Sequence, residues 1–315
     1  MTKPLNLADA GSAGVAAAAN VPAAATAKRR GRLRPHRAAT PYLFLLPGVA
    51  VLGVFVLAAF AQVVWYSLTD FNAFNDGRWV GVDNYRRLLA DEKFWFCLGN
   101  SFFYLLVTPV LMALSLGAAM LVHAGLGWAW GLRVWLFLPV VTPTIVAAIA
   151  WRLLLNEDGG LLNTALGWVG AGPVYWLSER PWTLASAMLV TVWKGFGYFM
   201  MIFLAGLVAI PRELEEAAEV DGAGRWRTFC HVTLPGLRPT LVLVALISSI
   251  SALKVFDELY VTIKGAPVSH QTAVPLIFDT AFEKGDFGQA CAIGVTLFVV
   301  VLAFSLVQLY LVRDR

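Results

Sequence analysis

The run FGQACAIGVTLFVVVLAFSLVQLYL extends from Phe287 to Leu311 without one charged side chain. A hydrocarbon core takes roughly 20 residues of helix to cross, so this stretch is long enough to span a membrane. Five more apolar runs of similar length precede it, at 42–66, 100–122, 134–155, 183–209 and 239–263. None of the six shows the polar–apolar alternation of a barrel strand, and backbone groups in lipid must bond within their own segment, so the spans are predicted to be helices. The fold class is all-α, a polytopic bundle of six transmembrane helices. A seventh apolar stretch, from Leu161 to Trp176, is short and broken by Gly167, Gly170, Gly172 and Pro173, and reads as an interfacial loop.

Composition agrees. Only 14% of the 315 residues are charged, against about a quarter in soluble domains. The balance of 24 Lys and Arg against 20 Asp and Glu gives +4, too little to imply nucleic acid, and the basic residues are distributed as topology would place them. With the N-terminus in the cytoplasm, the inside segments 1–40, 123–134, 211–238 and 312–315 hold 14 Lys and Arg, against 8 in 67–99, 152–182 and 264–286. That excess favours both termini inside.

The expected organisation is a disordered basic cytoplasmic tail at 1–40, the first transmembrane helix with a periplasmic loop at 41–95, a transmembrane domain at 96–311, and a cytoplasmic C-terminus at 312–315. The basic cluster Lys28 to Arg37 follows the alanines of the tail, which argues against a cleaved signal. Cys97, Cys230 and Cys291 lie far apart and read as packing residues. His36, His123, His231 and His270 are scattered, so neither a metal site nor a catalytic triad is expected. No G-x-x-x-x-G-K-[ST] occurs, so the chain is not expected to bind ATP itself.

One internal connection breaks the apolar rule. IPRELEEAAEVDGAG, Ile210 to Gly224, carries five acids between Glu213 and Asp221. Pro211 suits a first helical position, the glutamates complement the positive end of the helix dipole, and Gly222 supplies a C-terminal cap. A second short helix is expected to carry Trp226, Phe229, Cys230 and Thr233 as an i, i+3, i+4, i+7 stripe and to end at Pro235. Ala217 and Ala218 beside Leu214 and Asp221 leave a flat face suited to docking. The plain alternative is a solvated loop helix.

The pattern Glu216-Ala217-Ala218, Gly222, Val232 and Leu234-Pro235 resembles the cytoplasmic signature loop of ATP-binding cassette importer permeases, with Val232 where that family usually has isoleucine. PYLFLLPG (Pro41–Gly48), VGVDNYRRLL (Val80–Leu89), LPVVTPTIVAAIAW (Leu138–Trp151), FLAGLVAIP (Phe203–Pro211) and FDELYVTIKGAP (Phe256–Pro267) narrow it to the carbohydrate-uptake permeases of the maltose and glycerol-phosphate type. Gly265-Ala266-Pro267 replaces the usual Gly-Gly-Pro.

The resemblance implies a type I importer bundle in the bacterial inner membrane. Its loop at 211–238 would be a coupling helix seated on a separate ATPase, with Glu216 as the charged contact, Ala217 and Ala218 as the close-approach surface, Gly222 as the turn, and Asp221, Leu234 and Pro235 completing the motif. It also implies two ATPase copies, a second and different permease, an external solute-binding protein and no cofactor of its own. The close of the first span, Trp65 to Thr69, resembles the first of the two permeases in such systems.

Ionisable residues within spans are costly and draw a functional reading. Lys194 in the fourth run, and Lys254, Asp257 and Glu258 in the fifth, are such residues. Spacings of three and four would allow an ion pair on one helix face. They are either self-neutralised charges near the outer end or a polar lining for sugar hydroxyls. Trp193, Tyr198, Phe199 and Tyr260 offer aromatic faces, while Ser248, Ser249 and Ser251 bond either solute or the backbone one turn back. An ion-driven secondary transporter predicts repeated halves and more intramembrane carboxylates. A membrane enzyme needs polar groups converging at one depth. The transporter reading leaves the signature loop unexplained, and no such convergence is visible for an enzyme.

Overall fold

The computed structural model describes residues 40–75, 77–125, 129–263 and 267–313. The tail to residue 39, including Lys28 to Arg37, and the pair Gly265-Ala266 lie outside them. The chain divides into two units, Met1–Val56 and Leu57–Arg315. In the first, α1 (Thr40–Leu52) exposes Phe44, Leu45, Leu46 and Val49, a surface that suits lipid.

The second unit opens with α2 (Ala59–Ser67), followed by α3 (Asp83–Ala90), α4 (Glu92–Tyr104) and α5 (Val107–His123). Asp91 caps α4 by accepting a bond from the Lys93 N–H at 2.9 Å, so the second span starts earlier than its apolar run and reaches from Glu92 to His123. Then come α6 (Ala129–Val141), α7 (Thr144–Leu154), α8 (Leu161–Trp168) and α9 (Trp182–Val208). The stretch read as an interfacial loop is therefore half helix. Leu161, Trp168 and Val169 stay exposed, while Leu162 and Leu166 are half-buried. The rest is α10 (Arg212–Val220), α11 (Arg225–Thr228), α12 (Leu234–Gly236), α13 (Arg238–Leu253), α14 (Asp257–Thr262), α15 (Ala273–Phe278) and α16 (Phe287–Arg313).

Among the described residues four helices are long and apolar enough to cross a membrane, and six if each of two bent pairs counts as one span. Not every apolar run is one straight helix. The run 134–155 turns by 96° between α6 and α7. Pro143 at the break has no N–H to continue the helical ladder and disfavours helical backbone at Thr142.

The run 239–263 is not one helix either. Just ahead of it the chain turns by 67° where 225–236 meets α13, and within the run α13 ends at Leu253 and α14 starts at Asp257. Lys254 caps α13, and Phe256 has the non-helical angles φ −136° and ψ −67°. Lys254 thus shares no helix face with Asp257 and Glu258, and among the described residues it makes no ion pair. The dipole explains the outcome. A cation at a helix end followed by two anions at a helix start suits both termini, whereas Lys preceding Glu is the weaker order for a pair within one helix.

The core is built on α5 and α9, joined by Leu111, Met200, Phe203 and Leu207. Two hydrogen bonds between helices replace the water that lipid cannot supply: Tyr104 with Thr191 at 2.7 Å, and the Ser115 hydroxyl donating to the Phe196 carbonyl at 2.9 Å. At Gly197 the backbones of α9 and α6 come so close that a Cβ would sit 2.2 Å from the Leu136 carbonyl oxygen. A second cluster, with Leu88, Phe94, Leu276, Ile293 and Leu297, fastens α3, α4 and α15 to α16. Here fully buried Asn84 donates to the carbonyls of Ser67 and Thr69 at 2.8 and 2.7 Å, which holds the end of α2.

Candidate functional site

Two places bring the residues singled out by sequence into defined geometry, a cavity and a surface elbow. The cavity holds about 570 Å³ among α5, α6, α9, α13 and the start of α14. Lys194 and Tyr198 reach its wall from one side of α9, four residues apart, with Thr191 and Gly195 between and below them. Ser248 and Ser251 reach it from α13, and the helix break adds Lys254, Phe256, Asp257 and Glu258. Two cations and two carboxylates thus face one space, set in a wall of Val107, Leu111 and Ile247.

Other expected pathway residues point elsewhere. Trp193 packs its ring 5.6 Å from that of Trp151 on α7. Ser249 is buried and accepts a 3.4 Å bond from the Gln308 amide of α16. Each is the sequence neighbour of a cavity residue, and the 100° step between helical neighbours carries it to the next face. Tyr260 lies outside the cavity, stacked on Phe256 at 5.1 Å. Ser248 donates to the Val244 carbonyl at 2.7 Å, the backbone alternative expected for it. Thr191, Gly195 and Val107 were missed by sequence reasoning, because residues with little or no cost in lipid carry no signal.

The elbow is formed by α10, α11, the π-helical turn Phe229–Thr233 and α12. Pro211 stands one residue ahead of α10 as its N-cap, with Glu213 and Glu215 in the first turn. The helix ends in a Schellman motif: the Ala223 N–H donates to the Ala218 carbonyl at 2.9 Å and the Gly222 N–H to the Glu219 carbonyl at 3.0 Å. Gly222 has φ +75°, a conformation that favours glycine. The two arms are tied together where the Thr233 hydroxyl donates to Glu215 at 3.4 Å.

Glu216, Ala217 and Asp221 are left exposed, Ala218 half-buried, Leu234 half-buried and Pro235 exposed. The expected stripe on the second arm does not form. The π-helical turn changes the residue period, so Thr233 is buried while Trp226 is 74% exposed, its ring 5.6 Å from that of Phe229. At the base of the elbow Leu237 is fully buried at the bend into α13.

The family model for the inner membrane component of binding-protein-dependent transport systems matches residues 113–315, which include the cavity's α9, α13 and α14 and the whole elbow. The chain belongs to this family. It is 34% identical over 286 residues to the trehalose/maltose transport system permease protein MalF of Thermococcus litoralis, covering 90% of this chain and 97% of that one. It is 32% identical over 293 residues to the diacetylchitobiose uptake system permease protein NgcF of Streptomyces coelicolor, covering 88% and 83%. In fold it is similar to a chain of a bacterial alginate ABC transporter, solved in complex with an alginate pentasaccharide-bound periplasmic protein, at a TM-score of 0.77 and 22% identity over 87% of this chain and 94% of that one. The all-α importer-permease fold expected from the sequence is thus the fold observed.

Proposed function

We propose that this chain is the permease subunit of an ATP-driven importer that carries a sugar or a related carbohydrate across the bacterial inner membrane. The observation that carries the reading is the pairing of a cavity between spans, its apolar wall set with Lys194, Lys254, Asp257 and Glu258, with an exposed, acidic, alanine-flattened elbow continuous with a cavity-lining helix. α13 starts at the elbow and ends at Lys254 on the cavity wall. The trehalose/maltose and diacetylchitobiose permeases among its relatives support the solute class.

In this reading both termini are cytoplasmic and the elbow sits on a separate ATPase, present in two copies in the importer, which binds the ATP. A second, different permease completes the pathway, and a solute-binding protein delivers from outside. Glu216 offers a carboxylate to an ATPase arginine, a strong and directional contact once desolvated. Ala217 and Ala218 allow the two backbones to approach. Lys194, Tyr198, Ser251, Lys254 and Asp257 supply donors and acceptors for solute hydroxyls. The chain moves solute and is not itself an enzyme.

The test is a detergent pull-down of the chain co-expressed with its chromosomal neighbours, identifying by mass what stays bound. An ATPase and a second permease are expected, with ATPase recovery lost in Glu216→Lys and Ala217→Trp. Normal recovery in both variants would refute the coupling role of the elbow. A chain that purifies alone and transports without ATP would refute the importer itself.

A further inference from the structure

The cavity has an aromatic extension that its lining does not explain. Phe256, on the cavity wall, stacks on Tyr260 at 5.1 Å with the planes 21° apart. Phe278 meets both rings, at 5.5 and 5.1 Å, and Phe282 continues from Phe278 at 5.0 Å. Phe282 is 69% exposed, so the ladder runs without a break from the cavity wall to the surface. Its outer part is shaped by a π-helical turn, Asp279–Glu283, a local geometry that recurs at functional sites.

A ladder of rings serving only as packing would be buried and flanked by apolar residues. Here a carboxylate follows each phenylalanine: Asp257 after Phe256, Asp279 after Phe278 and Glu283 after Phe282. Asp257 and Glu283 are exposed. Asp279 is buried, and burial together with neighbouring Glu283 pushes its carboxyl above the ordinary aspartate range. Flat apolar faces edged by acceptors match a pyranose ring, whose C–H face stacks on aromatics while its equatorial hydroxyls donate outward. The same carboxylates repel an anion.

We propose that Phe256, Tyr260, Phe278 and Phe282, edged by Asp257 and Glu283, form an entry track that binds neutral sugar rings and disfavours uronic acids and phosphate esters. The track rests on the importer reading above and narrows its solute class. It joins the outer surface to the cavity and hands a ring from Phe282 inward to Phe256.

The test uses the full chain in lipid nanodiscs and saturation-transfer NMR with four probes: maltotriose, cellotriose, N,N′-diacetylchitobiose and the acidic trigalacturonate. Transfer is expected to at least one neutral probe and none to trigalacturonate. Phe282→Ala and Phe278→Ala should each weaken the neutral contact by about two- to tenfold, the range of one aromatic stacking contact. Phe282 is exposed enough for its truncation to leave no internal void, and an unchanged gel-filtration profile verifies the fold.

Equal transfer to trigalacturonate, variants that bind as the parent does, or no transfer to any probe would each overturn the track. Its failure is separable from that of the importer reading. ATPase recovered in the pull-down, with ring variants that bind as the parent does, removes the track alone. A chain that never recovers an ATPase removes the importer reading whatever the sugars do.

Discussion

Gly222 isolates the backbone contribution to the elbow. Its φ is +75°, and a Cβ built there would meet nothing within 4 Å, so Gly222→Ala strains the backbone without creating a clash. Holding an L-residue in the left-handed region costs roughly 1–2 kcal/mol, and asparagine tolerates it better than alanine. The cost falls on the last turn of α10, where the Schellman bonds to Ala218 and Glu219 close, so the opened turn should become about 5- to 30-fold more populated. Amide hydrogen exchange read by mass spectrometry on peptides covering 212–224 measures this directly. In Gly222→Ala the amides of Asp221, Gly222 and Ala223 should exchange faster by that factor, in Gly222→Asn by less, and peptides from α9 should not change. Parent-like exchange in the alanine variant, or asparagine exchanging faster than alanine, would refute the motif as the element that holds the elbow.

Four further outcomes are expected. Gly197→Ala places a methyl 2.2 Å from the Leu136 carbonyl and should lower stability in detergent melts by about 1–3 kcal/mol, whereas Gly99→Ala, with nothing within 4 Å, should not. Asn84→Leu leaves the carbonyls of Ser67 and Thr69 without their donor, at about 1–3 kcal/mol for each group left unpaired, and the same melts report it. Burial and the charge of Arg180 depress the pKa of His270. It therefore takes up a proton less readily in the fold than in the unfolded chain, so its contribution is present above pH ~6.5 and lost as pH falls below that. Melts between pH 7.5 and 5.5 should show an acid loss that His270→Gln abolishes. Lys254→Ala should change solute-stimulated turnover of the assembled importer while its subunits still co-purify, and unchanged turnover would leave Lys254 a helix-capping charge only.

The spans were legible because lipid acts on composition, and a run such as Phe287 to Leu311 can satisfy its backbone in one way. The bends were not, although their cause stood in the text. Counting apolar residues through LPVVTPT registers Pro143 as one more tolerated residue and misses the donor it lacks. Charge set Lys254, Asp257 and Glu258 apart, but the spacing that would allow them one helix face does not give it, because the helix breaks between them. Their order of signs, read against helix ends rather than helix faces, places the break.

In the site, charge and aromaticity found Lys194 and Tyr198. Sequence neighbours such as Trp193 and Ser249 were indistinguishable from wall residues until the helices were rotated into place. Gly222 was read correctly because its role is local. The bond from Thr233 to Glu215 joins residues 18 apart and depends on how the two arms fold together.

The bend at Leu237 gives the elbow a mechanical ratio. α13 has 16 residues, a rod of about 24 Å. Pivoted at buried Leu237, a tilt of about 10° sweeps its far end through about 4 Å, close to the thickness of a sugar ring. A partner that rocks the elbow by about 10° would therefore displace Leu253 and the capping Lys254 by enough to widen or shut the cavity wall, with no residue of α13 needing to unwind.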